Sequence, residues 1–140
     1  MTFRELSAWV MSLALIVGGA FYFNTVIKAS SATDGLAPPI LGPIIIYIGI
    51  LILLSIIGHV LGAIAARGET DAPADERDRR VIAQAGNVSG VVFGVGVMAG
   101  LTGYLFTYNG DLLFYIAFGS LMVSQLAEYL LQIWYYRSGV

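Results

Sequence analysis

ILGPIIIYIGILILLSIIGHVLGAIAA, residues Ile40 to Ala66, holds no Asp, Glu, Lys or Arg, and its one ionisable side chain is His59. A run this long exceeds the roughly 20 apolar residues that carry an α-helix across about 30 Å of hydrocarbon. Three other apolar stretches surround it: Leu6 to Ile27, Val88 to Tyr108 and Leu112 to Tyr136. With 58% hydrophobic and 11% charged residues among 140, the chain lies far from the roughly 25% charge of soluble domains. The expected fold is therefore an all-α integral membrane bundle of four transmembrane helices, one domain over residues 1–140. Little chain is left for a soluble active site.

The breaks between spans carry turn chemistry. Ser30-Ser31-Ala32-Thr33-Asp34-Gly35 and Pro38-Pro39 close the first gap, and Asn109-Gly110-Asp111 makes a tight link between the third and fourth spans. The middle connection, Arg67 to Arg80, is the charged one. Of seven basic residues, Arg4, Arg67, Arg77, Arg79, Arg80 and Arg137 fall on one side of a four-span arrangement and Lys28 on the other. The positive-inside rule then places both termini and the central loop in the cytoplasm, in a multi-pass arrangement of bacterial inner-membrane type. So lopsided a count argues against dual insertion. A signal-peptide reading of the first span, with cleavage near Ser30-Ser31-Ala32, is disfavoured because its apolar run exceeds the usual 7 to 15 residues. The absence of cysteine excludes disulfides and thiolate chemistry.

Two ionisable residues lie inside apolar helices. His59 precedes Arg67 by eight residues and Glu128 precedes Arg137 by nine, which puts both about 12 to 14 Å inside the boundary at 1.5 Å per residue. An ionisable group at that depth marks a candidate proton or solute site. Gln125, Glu128 and Gln132 fall at i, i+3 and i+7, so one face of the fourth helix is polar and must meet protein or water. A faint echo between Ser55-Ile56-Ile57-Gly58-His59-Val60-Leu61 and Ser124-Gln125-Leu126-Ala127-Glu128-Tyr129-Leu130 is consistent with two hairpins related by a parallel repeat, which would make His59 and Glu128 counterparts and partners. One histidine and one carboxylate are too few ligands for a metal within a chain, and no cofactor is expected. Nor does a nucleophile and base pair appear among the polar residues, so the chain reads as a non-enzyme with no nucleic-acid partner.

Glycine crowds the third span. Gly86, Gly90 and Gly94 form a ladder at four-residue spacing, and Gly96 and Gly100 add a second pair. Such spacing lets helix backbones approach closely, within one bundle or between copies in a homo-oligomer. Trp9, Trp134, Tyr47 and Tyr115 read as interface anchors, and Tyr22 and Tyr108 as residues that line a vestibule.

In the central loop, Asp71 and Pro73 supply a cap and a first-turn proline for a helix running through Asp75-Glu76-Arg77-Asp78-Arg79-Arg80 into Val81 and Ile82. Asp75 and Arg79, and Glu76 and Arg80, are spaced for i, i+4 ion pairs. The arginines are placed to meet lipid head groups or the acidic face of a cytosolic partner. Asp75-Glu76-Arg77-Asp78 between two apolar hairpins, with a terminal Tyr135-Tyr136-Arg137, resembles an uncharacterised family of small bacterial four-helix membrane proteins bearing an Asp-Glu-Arg-(Asp/Glu) motif. That resemblance implies companionship with small cytosolic transcription regulators, and supplies no activity. Two functions follow. The leading one is a small interaction, regulatory or accessory protein, a homo-oligomer or a subunit of a membrane complex. The alternative is a proton-coupled transporter or channel for a small solute, using Glu128 with His59.

Overall fold

A computed structural model of the chain describes residues 3–33, 35–65 and 75–139. They form four helices: α1 (Phe3–Ala32), α2 (Leu41–Ala65), α3 (Glu76–Thr107) and α4 (Gly110–Ser138). The architecture is all-α, and each helix is long and apolar enough to cross a membrane.

The helix ends follow local chemistry. Asp75 caps α3 through a reciprocal capping box: the Asp78 amide donates to Asp75 Oδ1 at 2.7 Å, and the Asp75 amide donates to Asp78 Oδ2 at 3.4 Å. At the far end Tyr108 takes the left-handed conformation, φ 51°, and its amide donates to the Tyr104 carbonyl at 2.7 Å. Asn109 then caps α4 by accepting from the Leu112 amide at 2.9 Å. Two residues thus separate 32- and 29-residue helices, and the hairpin has no slack. Pro38 and Pro39 stand in the extended segment before α2, and Pro43 sits in its first turn, where a missing N–H costs nothing.

Some expected boundaries move. α1 runs on through Ser30, Ser31 and Ala32, with the turn beginning at Thr33. The Ser31 hydroxyl donates to the Ile27 carbonyl at 2.9 Å and the Thr25 hydroxyl to the Phe21 carbonyl at 2.9 Å, so these residues satisfy themselves inside the helix. α3 begins at Glu76 with Asp75 as its cap, and the expected cap at Asp71 with Pro73 lies outside the described residues.

The helices pack in the order α2, α1, α4, α3. Each outer helix rests mainly on one inner neighbour. This order corrects the expected parallel repeat. A two-fold relating α1 to α3 and α2 to α4 would match the α1–α4 contact with an equal α2–α3 contact, and no α2–α3 contact of that extent occurs among the described residues.

Glycine sets the closest approaches. A Cβ on Gly58 of α2 would run into the Val10 side chain of α1, and one on Gly62 would come within 2.9 Å of Leu6. On α1, Gly18 makes room for the Tyr47 ring, 3.0 Å from where its Cβ would stand. On the other hairpin Gly96 faces Ser120, and a Cβ on Gly100 would lie 3.0 Å from Ile116. Helices in lipid gain from van der Waals contact at short range, which small residues permit.

The core is Tyr22, Tyr47 and Met122, packed against Ile44, Leu51, Tyr115 and Phe118. It joins α1, α2 and α4. Tyr22 and Phe118 meet edge to face at 4.9 Å, and Tyr47 and Phe118 at 5.6 Å. Tyr47 is therefore a core residue, 6% exposed, and not the interface anchor expected of it. Tyr115 likewise turns inward and donates to the Ala37 carbonyl at 2.9 Å. Tyr22 and Tyr115 line a cavity of about 30 Å³ beneath Pro38 and Pro43, room for one water. Tyr108 is exposed and lines nothing with them.

Candidate functional site

His59 and Glu128 have separate partners in the structure. His59 stands on α2, facing α1. Its Nδ1 lies 2.7 Å from the Ser55 carbonyl oxygen, a pure acceptor, so Nδ1 carries the hydrogen and donates. Nε2 then accepts the Ser7 hydroxyl at 2.7 Å. Phe3 covers the ring edge-on at 6.3 Å. Both ring nitrogens are satisfied between two helices.

Glu128 stands on α4, facing α3. Its Oε2 is 3.3 Å from the Ser89 hydroxyl and its Oε1 accepts from Gln132 Nε2 at 3.3 Å. The Ser89 hydroxyl also lies 3.0 Å from the Gly86 carbonyl, and with one hydrogen it donates to one of the two at a time. Ser89 and Gln132 are buried and Glu128 is half-buried. No cation pairs with this carboxyl among the described residues. The expected His59–Glu128 partnership is thus corrected: the two share a depth, but α2 is an outer helix, α4 an inner one, and they face different neighbours. Gln125, on the same stripe, is half-buried and takes no part in this contact.

The arginine-rich end holds a larger polar assembly. Asp78 accepts from Arg4 Nε at 2.9 Å and from the Tyr136 hydroxyl at 3.0 Å, besides closing the capping box. Arg77 donates to the Tyr136 carbonyl at 2.9 Å, satisfying an orphan acceptor in the last turn of α4. Arg137 pairs with Glu5 at 3.0 Å and stacks over Trp9 at 5.4 Å. Helices α1, α3 and α4 are locked together there. The expected i, i+4 pairing of Asp75 with Arg79 is replaced, because Asp75 is spent as a cap. Glu76, Arg79 and Arg80 remain exposed. Glu76, Arg77, Arg80 and Gly139 line an open groove of about 340 Å³.

The third-helix glycines divide into two sets. Gly96 and Gly100 pack against α4. Gly86, Gly90 and Gly94 face open space, where an added Cβ would meet nothing within 4 Å. Sequence reasoning named the motif Asp75 to Asp78 but missed Arg4, Tyr136, Ser7 and Ser89, which complete these sites. Arg4 and Tyr136 carried a readable signal, since each lies at the charged boundary of its span. Ser7 and Ser89 carried none.

No protein-family model, curated protein or solved structure matches this chain.

Proposed function

We propose that the chain is a small non-enzymatic interaction or accessory protein of a bacterial-type inner membrane, one that assembles in the bilayer and offers a charged face to a cytosolic or membrane partner. The observation that carries this reading is the lock around Asp78. It fixes the start of α3 against α1 and α4 while leaving Glu76, Arg79 and Arg80 exposed beside an open groove. Long side chains held on a braced helix lose less freedom on binding than they would on a loop. Arg77 belongs to the lock, so the test belongs on Arg79 and Arg80. Gentle extraction from the native membrane should bring a partner protein with the wild-type chain, and Arg79→Glu with Arg80→Glu should release it without altering the thermal midpoint. A wild-type extract free of any fixed-ratio partner would remove this reading.

A second reading rests on Glu128. A carboxyl at hydrocarbon depth, held by a hydroxyl and an amide with no cation paired to it among the described residues, has the surroundings of a proton-carrying group. Proton-coupled flux of a small solute across vesicles would then be lost in Glu128→Gln, which keeps the shape and the Ser89 contact. Undiminished flux in that variant would dismiss the transporter.

A further inference from the structure

We infer that α3 carries a parallel two-fold homodimer seam, Ala83–Asn87–Gly90–Gly94, in which the Asn87 amides of two copies bond to each other. The inference rests on the assembly half of the reading above and commits to one occupant, a second copy of this chain.

Asn87 comes first. It is exposed on α3, and no hydrogen bond to its side chain occurs among the described residues. It stands seven residues past Arg80 on a continuous helix, about 10 Å further in at 1.5 Å per residue. Asn87 adjoins the apolar stretch that begins at Val88, and the lipid along that stretch offers an amide neither donor nor acceptor. An amide from a second chain would satisfy it.

The surroundings of Asn87 say what. Ala83, Asn87, Gly90 and Gly94 fall at i, i+4, i+7 and i+11, within about 60° of arc at 100° per residue. All four are exposed. Val81, Ala85 and Ser89 are buried and lie on the other side of the helix, so the seam points away from α4. Glycine and alanine around a single amide let a second helix come close, at the alternating spacing that two-stranded packing uses. Gly90 and Gly94 have open space where α4 already fills the corresponding place at Gly96 and Gly100.

A second copy fits this seam on two counts. An amide both donates and accepts, so Asn87 is complementary to itself across a two-fold axis. Carried one and two turns toward the arginine-rich end, the same phase reaches Arg80 and Glu76, which are exposed and opposite in sign. A parallel two-fold partner places each glutamate beside the other copy's arginine. An antiparallel copy would carry these charges to opposite ends of the pair.

The chain's lack of cysteine makes the test direct. Single substitutions Ala83→Cys, Asn87→Cys, Gly90→Cys and Gly94→Cys are oxidised in the native membrane, with Gln84→Cys, Val88→Cys and Val95→Cys as positions on other faces. A disulfide needs Cα atoms within about 4.4 to 6.8 Å, so it reports backbone approach. The seam positions should give disulfide-linked dimers of this chain, severalfold above the other three. In the Gly90→Cys background, Asn87→Leu should cut the dimer severalfold and Asn87→Gln should restore part of it. No dimer at any seam position, a maximum on another face, or a cross-link to a different protein overturns the proposal. The Arg79 and Arg80 experiment reads partner release and not dimer, so the two proposals fail separately.

Discussion

Gly58→Val will separate α1 from α2, at an expected cost of about 3 kcal/mol or more in stability. The new Cβ would occupy the space of the Val10 side chain. Val10 is β-branched and stiff at χ1, so it cannot swing aside. Relief must come from moving helices apart, which also weakens the Gly62–Leu6 contact and the Ser7–His59 hydrogen bond along the same seam. Reversible unfolding of the purified chain in detergent measures the loss. Gly90→Val, with open space around it, should change monomer stability by less than about 0.5 kcal/mol. The Val10→Ala change should rescue Gly58→Ala in a double-mutant cycle, with a coupling of at least about 1 kcal/mol. Equal losses at Gly58 and Gly90 would mean that the close approach at Gly58 is not what sets its cost.

Asp78→Ala should lower stability by about 2 to 4 kcal/mol, from the loss of the reciprocal half of the capping box and two charge-assisted hydrogen bonds. The Arg4 pair contributes the smaller part, because the Arg4 side chain is 36% exposed and screened by solvent. The Tyr136 hydroxyl contributes more, being part-buried against a carboxylate. Tyr136→Phe should accordingly reproduce about half of the loss, whereas Glu76→Ala, on the same turn, should leave stability within about 0.5 kcal/mol. The same unfolding assay checks all three, and an Asp78→Ala protein as stable as wild type would show that the arginine-rich end is not locked.

How much of this was legible follows from what lipid does to sequence. The four spans were legible because apolar length needs no partner to interpret. Asn109 was legible as a turn residue because its side chain acts on its own backbone. Helix order was not. A membrane helix is apolar on its lipid face and on its packed face alike, so the pattern that marks a core side in water is erased. Hence Gly86, Gly90 and Gly94 read no differently from Gly96 and Gly100, although only the second pair meets α4. For the same reason charges fixed the depth of His59 and Glu128 but not their directions, and the two were wrongly paired. Tyr47 misled in its own way: its place in the chain suits an interface, but Gly18 opposite it opens a slot in the core.

The order α2, α1, α4, α3 also imposes a timetable on synthesis. Each hairpin closes between helices adjacent in the chain, so α1 and α2 can pair as soon as both are inserted. The face of α1 that carries Ala8, Ser12, Leu15 and Tyr22 is different, for Tyr22 packs on Phe118 and Met122 of the last helix. About a hundred residues separate the end of α1 from the end of α4, roughly 5 to 20 s of translation at 5 to 20 residues per second. For that interval the first hairpin stands in the bilayer with its inner face uncovered, the Ser12 hydroxyl among its surface. The final helix is thus the one whose arrival turns two independent hairpins into a single protein.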